Sequence, residues 1–336
     1  RVRIVRHTHA RIRRNCTSRE PGNMQPTAEH LKALQARERA PVARSSALGN
    51  MQDQRFENWR PLGSGGTADV YRVFDSTLGI DLAIKLLKRD TPKGREAIVK
   101  EVLVSRALRH PFICPLHDVY VGPRGFGVIM DVLEGIDLKT WNAANRDALH
   151  ATFKERLELI EKLGDALAIA HRRIVHRDLK PGNVFLQGGS IEAPLILDFG
   201  LSLLDQANVT GSAAGTPRYM APEQHGGVTD ARSDIFALGV IAYELLTGGV
   251  HPLAHLDRRP VAADWENAEI APPSQTCALV PAANDRKVQK IIPTDPTQRP
   301  ASPREMVLAA AAGVHPSADA PPTSRAGLRG SRHHAR

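Results

Sequence analysis

Two short polar segments near the middle of this 336-residue chain hold the side chains best suited to chemistry. The first reads HRDLKPGN, from residue 176 to 183, and the second is the DFG triplet at residues 198 to 200. The pair places one carboxylate to receive a hydroxyl proton, and an amide and a second carboxylate to hold magnesium, within a short stretch of chain. Such a pair would suit chemistry at a hydroxyl group with the help of magnesium.

A glycine cluster and a single lysine precede these segments. Residues 62 to 70 read LGSGGTADV and lie between two short β-type runs, where missing side chains would let backbone amides close over phosphates. Alone, such a cluster is equally typical of an ordinary hairpin turn. Leu82-Ala83-Ile84-Lys85 puts one lysine inside an apolar strand, where its ammonium needs anionic partners. A surface lysine on an edge strand is the alternative.

Together these motifs resemble those of the eukaryotic-like serine/threonine protein kinases found in bacteria. The resemblance implies an α+β, bilobal protein kinase fold with a β-rich N-lobe, one main N-lobe helix and a mostly α-helical C-lobe. It also implies transfer of the γ-phosphate of ATP to serine or threonine hydroxyls of proteins, with Mg²⁺ as cofactor and Mn²⁺ as a substitute.

The resemblance assigns a role to each matched residue of the central segments. Asp178 would accept the proton of the substrate hydroxyl, and Lys180 would neutralise charge on the transferring phosphoryl group. Asn183 and Asp198 would coordinate magnesium. Lysine two places after the aspartate is also typical of serine/threonine rather than tyrosine kinases.

The nucleotide would bind between the lobes. Lys85 would pair with the α- and β-phosphates and with Glu101, which is preferred over Glu96 because of its spacing from His110-Pro111. Adenine would lie in an apolar slot with a polar hinge, where Met130 is the gatekeeper or simply core filler. The expected lining residues are Leu62, Gly63, Ser64, Gly65, Gly66, Thr67, Ala68, Val70, Ala83, Lys85, Met130, Asp131, Leu133 and Phe185.

The arginine before the catalytic aspartate suggests regulation by phosphorylation. In kinases with this arrangement, Arg177 is often neutralised by a phosphorylated residue of the activation loop. Thr210 and Ser212 are the candidates for autophosphorylation, and loop hydroxyls without a regulatory use are the alternative. Thr216 would instead bridge the catalytic lysine and aspartate.

Three further residues are expected to have structural roles. The segment GTPRYMAPE, residues 215 to 223, resembles the stretch that receives a peptide substrate, which small-molecule kinases of the aminoglycoside type lack. Glu223 at its end would form a buried ion pair with Arg299. Asp234 would accept hydrogen bonds from the backbone near His176 and Arg177.

The sequence departs from the family pattern at several places. Ala68 replaces the third glycine, which could weaken nucleotide binding slightly. Ser105 replaces a larger apolar side chain that usually links the lobes, so the main N-lobe helix is expected to be loosely held. Pro293 suggests that a helix ends early, and residues 251 to 285 match the family only in length.

Charge and composition divide the chain into three parts. The net charge of +9 comes from a basic extension at residues 1 to 55, net +8, and a basic tail at 314 to 336, net +3, around a segment with net −2. We expect a short helix near residues 27 to 39, a largely disordered extension, a kinase domain at 56 to 313 and a disordered tail. The domain would comprise an N-lobe at 56 to 133 and a C-lobe at 134 to 313.

The basic flanks could attract nucleic acid or an anionic membrane, but arginine-rich tails are usually just solvated, and no specific nucleic-acid module is visible. The chain starts with arginine, so Met24 or Met51 could be the true start, and a transit peptide is a further reading.

The remaining features bear on location and partners. Three widely spaced cysteines argue against a disulfide framework or a zinc site, which favours a reducing cytoplasm. The longest apolar run, residues 306 to 314, is too short to span a bilayer, which favours a cytoplasmic kinase over a receptor unless the sequence is truncated. Expected partners are protein substrates, and a homodimer through the upper lobes is common in relatives. A catalytically dead scaffold would require loss of Lys85, Asp178, Asn183 or Asp198, and all four are present.

Overall fold

The computed structural model describes residues 54–149, 152–199, 217–258, 260–278 and 292–305, with residues 280, 282 and 285. Every described residue belongs to the unit Leu48–Arg336. The predicted helix near residues 27 to 39, the limits of the basic extension and the basic tail therefore lie outside the described residues.

The upper lobe is built on a five-stranded antiparallel sheet of order β1-β2-β3-β5-β4. Its strands are β1 Phe56–Ser64, β2 Ala68–Asp75, β3 Ile80–Leu87, β4 Leu116–Gly122 and β5 Gly125–Asp131. One long helix, α1 Pro92–Ala107, connects β3 to β4. The predicted β-rich lobe with one main helix is confirmed.

The alternation of side chains in β3 determines what faces the site. Leu82, Ile84 and Leu86 pack in one apolar cluster on one side of the sheet. Because successive side chains of a strand point to opposite faces, Ala83 and Lys85 face the other side, where they line the cleft. The only charged side chain of the apolar run is thereby directed into the cleft.

Local sequence sets where α1 begins and how it is held at its other end. The Thr91 hydroxyl accepts a hydrogen bond from the Gly94 N–H, and Pro92 occupies the first turn, where its missing N–H costs nothing. At the other end, the Ser105 hydroxyl accepts a hydrogen bond of 2.9 Å from the Leu116 N–H. We expected the serine to leave the helix loosely held. The structure instead shows a polar link to β4 at this position.

The lower lobe combines a small sheet with helices. The sheet consists of β6 Gly135–Asp137, β7 Val184–Gln187 and β8 Pro194–Ile196. The helices are α2 Leu138–Ala144, α3 Phe153–Ala170, α4 Ala231–Leu246, α5 Ala262–Glu266 and α6 Pro273–Thr276. Helix α4 is buried along nearly its whole length, as its near-continuous apolar sequence predicts. The bilobal α+β architecture is confirmed.

Candidate active site

A cavity of about 830 Å³ separates the glycine-rich segment, residues 62 to 70, from the catalytic loop, residues 176 to 183. Every residue predicted to contact the nucleotide lines this cavity except Ser64. The same cavity is lined by residues predicted for catalysis and metal binding, namely Lys85, Glu101, Asp178, Lys180, Asn183 and Asp198. The fold therefore brings residues more than a hundred positions apart to one cleft.

The catalytic loop is held from below by one buried carboxylate. Asp234, 1% exposed at the start of α4, accepts hydrogen bonds from the N–H groups of His176, at 2.7 Å, and Arg177, at 2.8 Å. The ring of His171 also lies 2.8 Å from this carboxylate. Arg177 has a φ of 72°, a conformation that few non-glycine residues adopt, so these bonds help to fix a strained turn. Both predicted backbone contacts of Asp234 are present.

Asp178 is held by its two neighbours in the loop. The Lys180 ammonium lies 2.6 Å from Asp178 Oδ2 and the Asn183 Nδ2 lies 3.2 Å from the same oxygen. Asn183 Nδ2 also donates to the Asp178 carbonyl, at 2.8 Å. The carboxylate is thus oriented toward the cavity, with a cation beside it.

The β7–β8 hairpin brings the two candidate metal ligands to the same end of the cleft. Asn183 directly precedes β7, and its carbonyl accepts a hydrogen bond of 2.9 Å from the Leu197 N–H, which places Asp198 opposite. Asp198 also has a positive φ, of 62°. Phe199 is turned inward, 6% exposed, with its ring centroid 4.8 Å from that of His176.

The partner of Lys85 differs from the one expected. Lys85 forms an ion pair with Asp198, not with Glu101, and no ion pair links Lys85 to Glu101 in the described part of the chain. Glu101 is 4% exposed, and its Oε2 atom has no hydrogen-bond partner among the described residues. Burial and the nearby Asp198 charge raise the pKa of Glu101 to about 8, although Lys85 lowers it in part. The Glu101 carboxyl is therefore mostly protonated at neutral pH.

Asp198 shows the opposite shift. Burial alone would raise the pKa of its carboxyl, but the charge and hydrogen bond of Lys85, together with His176 and Lys180, lower the pKa below the ordinary value. The two carboxyls near Lys85 therefore differ in charge, with the partly exposed Asp198 ionised and the buried Glu101 largely neutral. The physical reason is that the single ammonium pairs with Asp198, which leaves the more deeply buried Glu101 without an ion pair to compensate its charge.

The glycines of the glycine-rich segment line the cavity and have open space beside them. A Cβ atom built on Gly63 or Gly66 would meet nothing within 4 Å, and one on Gly65 would meet only the Ala68 carbonyl, at 3.5 Å. None of the three has a positive φ. Neither packing nor backbone conformation in this structure thus requires glycine there.

Below the site, one ion pair fixes the segment that precedes α4. Arg299 donates to Glu223 through two nitrogens, at 2.6 and 2.8 Å, and its side chain is 0% exposed. Arg299 also donates to the carbonyls of Pro293, Thr294 and Arg232. The predicted Glu223–Arg299 pair is present. Where a helix before Pro293 would end lies outside the described residues.

Sequence reasoning missed several contacts around the site. Gln224 Nε2 donates to the Arg177 carbonyl, at 3.0 Å, which links the segment just after Glu223 to the catalytic loop. The Tyr219 hydroxyl lies 3.0 and 2.9 Å from the two carboxyl oxygens of Glu244. Lys88 contacts the glycine-rich segment. The motifs gave no signal for these residues, because each contact joins positions that only the tertiary fold brings together.

The regulatory candidates cannot be placed in the same way. Thr210, Ser212 and Thr216 lie outside the described residues. Arg177 is described, and its backbone is held by Asp234 and Gln224.

Comparison with known proteins agrees with this geometry. The family model described as "Protein kinase domain" matches residues 56–306. The chain belongs to the protein kinase family. Among curated proteins, this kinase chain is 33% identical over 261 residues to the serine/threonine-protein kinase PrkC of Bacillus subtilis, covering 75% of this chain and 39% of PrkC. It is 34% identical over 240 residues to the serine/threonine-protein kinase Pkn1 of Myxococcus xanthus, covering 68% of this chain and 33% of Pkn1.

Solved structures point to the same family. The crystal structure of the Mycobacterium tuberculosis PknI kinase domain superposes with a TM-score of 0.56 at 26% identity, covering 76% of this chain and 96% of that domain. The kinase chain spans only 33% to 42% of the length of the curated relatives it matches. No helix in the described part of the chain is long and apolar enough to cross a membrane.

Proposed function

We propose that this chain transfers the γ-phosphate of ATP to serine and threonine hydroxyls of protein substrates, with Mg²⁺ as cofactor. The observation that carries the proposal is the convergence of Lys85, Asp178, Lys180, Asn183 and Asp198 on one cavity beneath a glycine-rich segment. The curated relatives named above as serine/threonine-protein kinases support the same reaction.

The open glycines support ATP as the phosphoryl donor. Because Gly63 and Gly66 are not needed for packing here, the free space beside their backbone is explained by a ligand that must approach closely. A triphosphate would meet backbone N–H groups of the segment there, while the Lys85 ammonium, 13% exposed, supplies a charge inside the cleft.

The donor set fits magnesium. Both Nδ2 contacts of Asn183 go to Asp178, and no described residue donates to its Oδ1, so this amide oxygen and the Asp198 carboxylate are the oxygen ligands on offer. The described residues contain no group of three or more His, Cys, Asp or Glu side chains that could hold a metal. A pair of oxygen ligands suits Mg²⁺, which binds one or two protein oxygens together with substrate phosphates and neutralises charge on those phosphates. Mn²⁺ has the same oxygen preference and would substitute.

Asp178 and Lys180 would act on the acceptor. The Asp178 carboxylate, held by Asn183, is placed to accept a hydrogen bond from the substrate hydroxyl and to orient its oxygen for attack. Lys180, 2.6 Å from this carboxylate, would stabilise charge on the phosphoryl group as it transfers. As the hydroxyl oxygen bonds to the γ-phosphorus, the bond from that phosphorus to the β–γ bridging oxygen breaks, ADP leaves and the hydroxyl proton passes to Asp178.

A protein acceptor is favoured over a small molecule by the anchoring of residues 217 to 226. The Glu223–Arg299 pair, the Tyr219–Glu244 contact and the Gln224 bond to Arg177 fix this segment beside the catalytic loop. A segment fixed in this way suits the binding of an extended peptide. A small-molecule acceptor would not require such a segment.

The proposal is tested by phosphorylation with radiolabelled ATP and magnesium. A general protein substrate is compared with sugar and aminoglycoside acceptors, for the wild type and for Lys85→Met, Asp178→Asn and the control Lys154→Met. Lys154 is exposed on α3, away from the cleft. Labelling of protein that is lost in the first two variants and kept in the control supports the proposal. Equal labelling in all variants, or labelling of small molecules alone, contradicts it.

Three finer properties belong to the same proposal. We propose autophosphorylation at Thr210 or Ser212, and a Thr210→Ala, Ser212→Ala variant with full activity and no loop phosphopeptide by mass spectrometry would contradict it. We also propose a cytoplasmic location, in keeping with the free, buried thiols of Cys114 and Cys277. A homodimer through the upper lobes is the third, and sedimentation of the phosphorylated chain as a monomer at micromolar concentration would contradict it.

A further inference from the structure

Lys88 makes an unusual set of contacts just beyond the end of β3. Its ammonium lies 2.6 Å from the Gly65 carbonyl and 2.9 Å from the Ser64 hydroxyl. The Asp69 carboxylate is 3.4 Å away. The Lys88 backbone N–H also donates to the Thr67 carbonyl, at 2.9 Å. One residue thus contacts four positions within or next to the turn of the glycine-rich segment.

The register of the sheet explains how Lys88 reaches this turn. Ala68 is paired with Leu87 across the β2–β3 ladder, and the bond from Lys88 to Thr67 continues this ladder by one residue. Because side chains alternate along a strand, Lys88 is on the face opposite to that of Lys85 and Leu87. Lys85 lines the cleft, whereas Lys88 does not. Lys88 therefore approaches the glycine-rich segment from outside the cleft.

The turn lies at the end of the β1–β2 ladder, whose last pair is Ser64 with Asp69. Between β1 and β2 its internal bond is from the Gly65 N–H to the Ala68 carbonyl, at 2.8 Å. Gly65 and Gly66 contribute no side chain, and glycine has the largest conformational freedom to lose on ordering. Leu62 is 50% exposed and adds little packing. Bonds from a charged donor are stronger than neutral ones, so the Lys88 ammonium adds a fixed point to the turn beyond the strand ladder.

We propose that Lys88 is a positioning residue for the nucleotide, which holds the glycine-rich segment in the shape that receives the phosphates. Lys88 acts through the segment, because its ammonium is occupied by Gly65, Ser64 and Asp69 on the outer face. The inner side, with its open glycines, stays free for the ligand. The role in nucleotide binding rests on the proposed use of ATP. The ordering of the glycine-rich segment by Lys88 does not depend on ATP.

The first test uses the full chain without nucleotide. Hydrogen–deuterium exchange of peptides that cover residues 62 to 70 is compared between wild type, Lys88→Met, Lys88→Arg and the control Lys154→Met, whose side chain is 83% exposed on α3. We expect Lys88→Met to exchange about threefold to tenfold faster, the size of effect that one net hydrogen bond implies. Lys88→Arg should restore most of the protection. Equal exchange in Lys88→Met and the control would overturn the proposal, whether or not the chain is an active kinase.

The second test separates positioning from direct contact with ATP. Nucleotide affinity by fluorescence titration and the KM for ATP should both weaken several-fold in Lys88→Met, with kcat changed less. Ser64→Ala in the Lys88→Met background should add little, because both changes break the same contact. If the losses of affinity in Lys88→Met and Ser64→Ala add fully, Lys88 acts by a route other than this contact, such as direct contact with the phosphates. If the affinity is unchanged in Lys88→Met, the contact between Lys88 and the glycine-rich segment has no bearing on nucleotide binding. Either result would overturn the proposal.

Discussion

The unpaired state of Glu101 predicts a pH dependence that can be measured without substrate. The carboxyl is 4% exposed, its Oε2 has no hydrogen-bond partner in the part of the chain that the structure describes, and burial raises its pKa to about 8 from an ordinary value of 4.5. The folded state therefore binds this proton more tightly than the unfolded state does. Stability from this group is fully present below the unfolded pKa and is lost as pH rises toward the folded pKa.

The substitution Glu101→Gln removes the titration while keeping the shape of the side chain. A pKa difference of this size costs the wild type about 3 to 4 kcal/mol between pH 5 and pH 8, at about 1.36 kcal/mol for each full pKa unit. The free energy of unfolding of Glu101→Gln should therefore rise relative to that of the wild type by about this amount over the same interval. Above pH 8 the difference should level off.

Urea unfolding at half-unit steps from pH 5 to pH 9 measures the difference directly. Glu96→Gln is the matched control, because Glu96 lies on the same helix but is exposed. Its difference from wild type should change little with pH. A Glu101→Gln difference that is also flat would refute the reasoning, since it would mean that Glu101 is ionised and paired in solution. Lys85 would then pair with Glu101 rather than with Asp198.

Three further outcomes follow from the same structure. Arg299→Met should lower the free energy of unfolding by about 3 to 5 kcal/mol, because it leaves the Glu223 carboxylate buried without its partner. Arg304→Met, which breaks an exposed pair, should cost about 1 kcal/mol or less, and equal losses in urea unfolding would contradict this account. Gly66→Val should leave the unfolding midpoint nearly unchanged but raise the KM for ATP several-fold, whereas an unchanged KM would show that the open space is not used. The pKa of Asp75 is below its usual range because hydrogen bonds from Arg55 and two N–H groups outweigh burial, so its contribution is lost as pH falls through that pKa. The free energy of unfolding of Asp75→Asn should therefore fall less steeply than that of the wild type as pH is lowered below 5. An equally steep fall in both would contradict the lowered pKa of Asp75.

Much of the lower half of the site could be predicted because its geometry is local. The catalytic loop places Asp178, Lys180 and Asn183 within six consecutive residues, and a short hairpin then returns the chain to Asp198. Little freedom remains for those side chains to be far apart. The long-range contacts of Asp234 and Glu223 could be anticipated only through the family resemblance.

The upper half was harder to predict, since its contacts depend on how separate elements pack. Sequence placed Lys85 in an apolar strand and Glu101 on the next helix, but it could not say which of two carboxylates the ammonium would pair with. That choice depends on helix position and on the cost of desolvating each acid. The bond between Ser105 and Leu116 and the contact of Lys88 with Gly65 likewise depend on how neighbouring elements align, which no pattern of residue types encodes.

The two halves of the site are therefore held in different ways, and this has a consequence for how variants should behave. Below the cleft, Asp234 and Arg299 are buried and each bonds to several backbone groups, so their contacts can be lost only at a large cost in stability. Above it, Lys88 holds the glycine-rich segment through exposed side-chain contacts on the outer face of the segment, and loss of such contacts costs much less. Substitutions of Lys88 should therefore alter nucleotide binding at nearly constant stability, and those at Asp234 or Arg299 should lower both together.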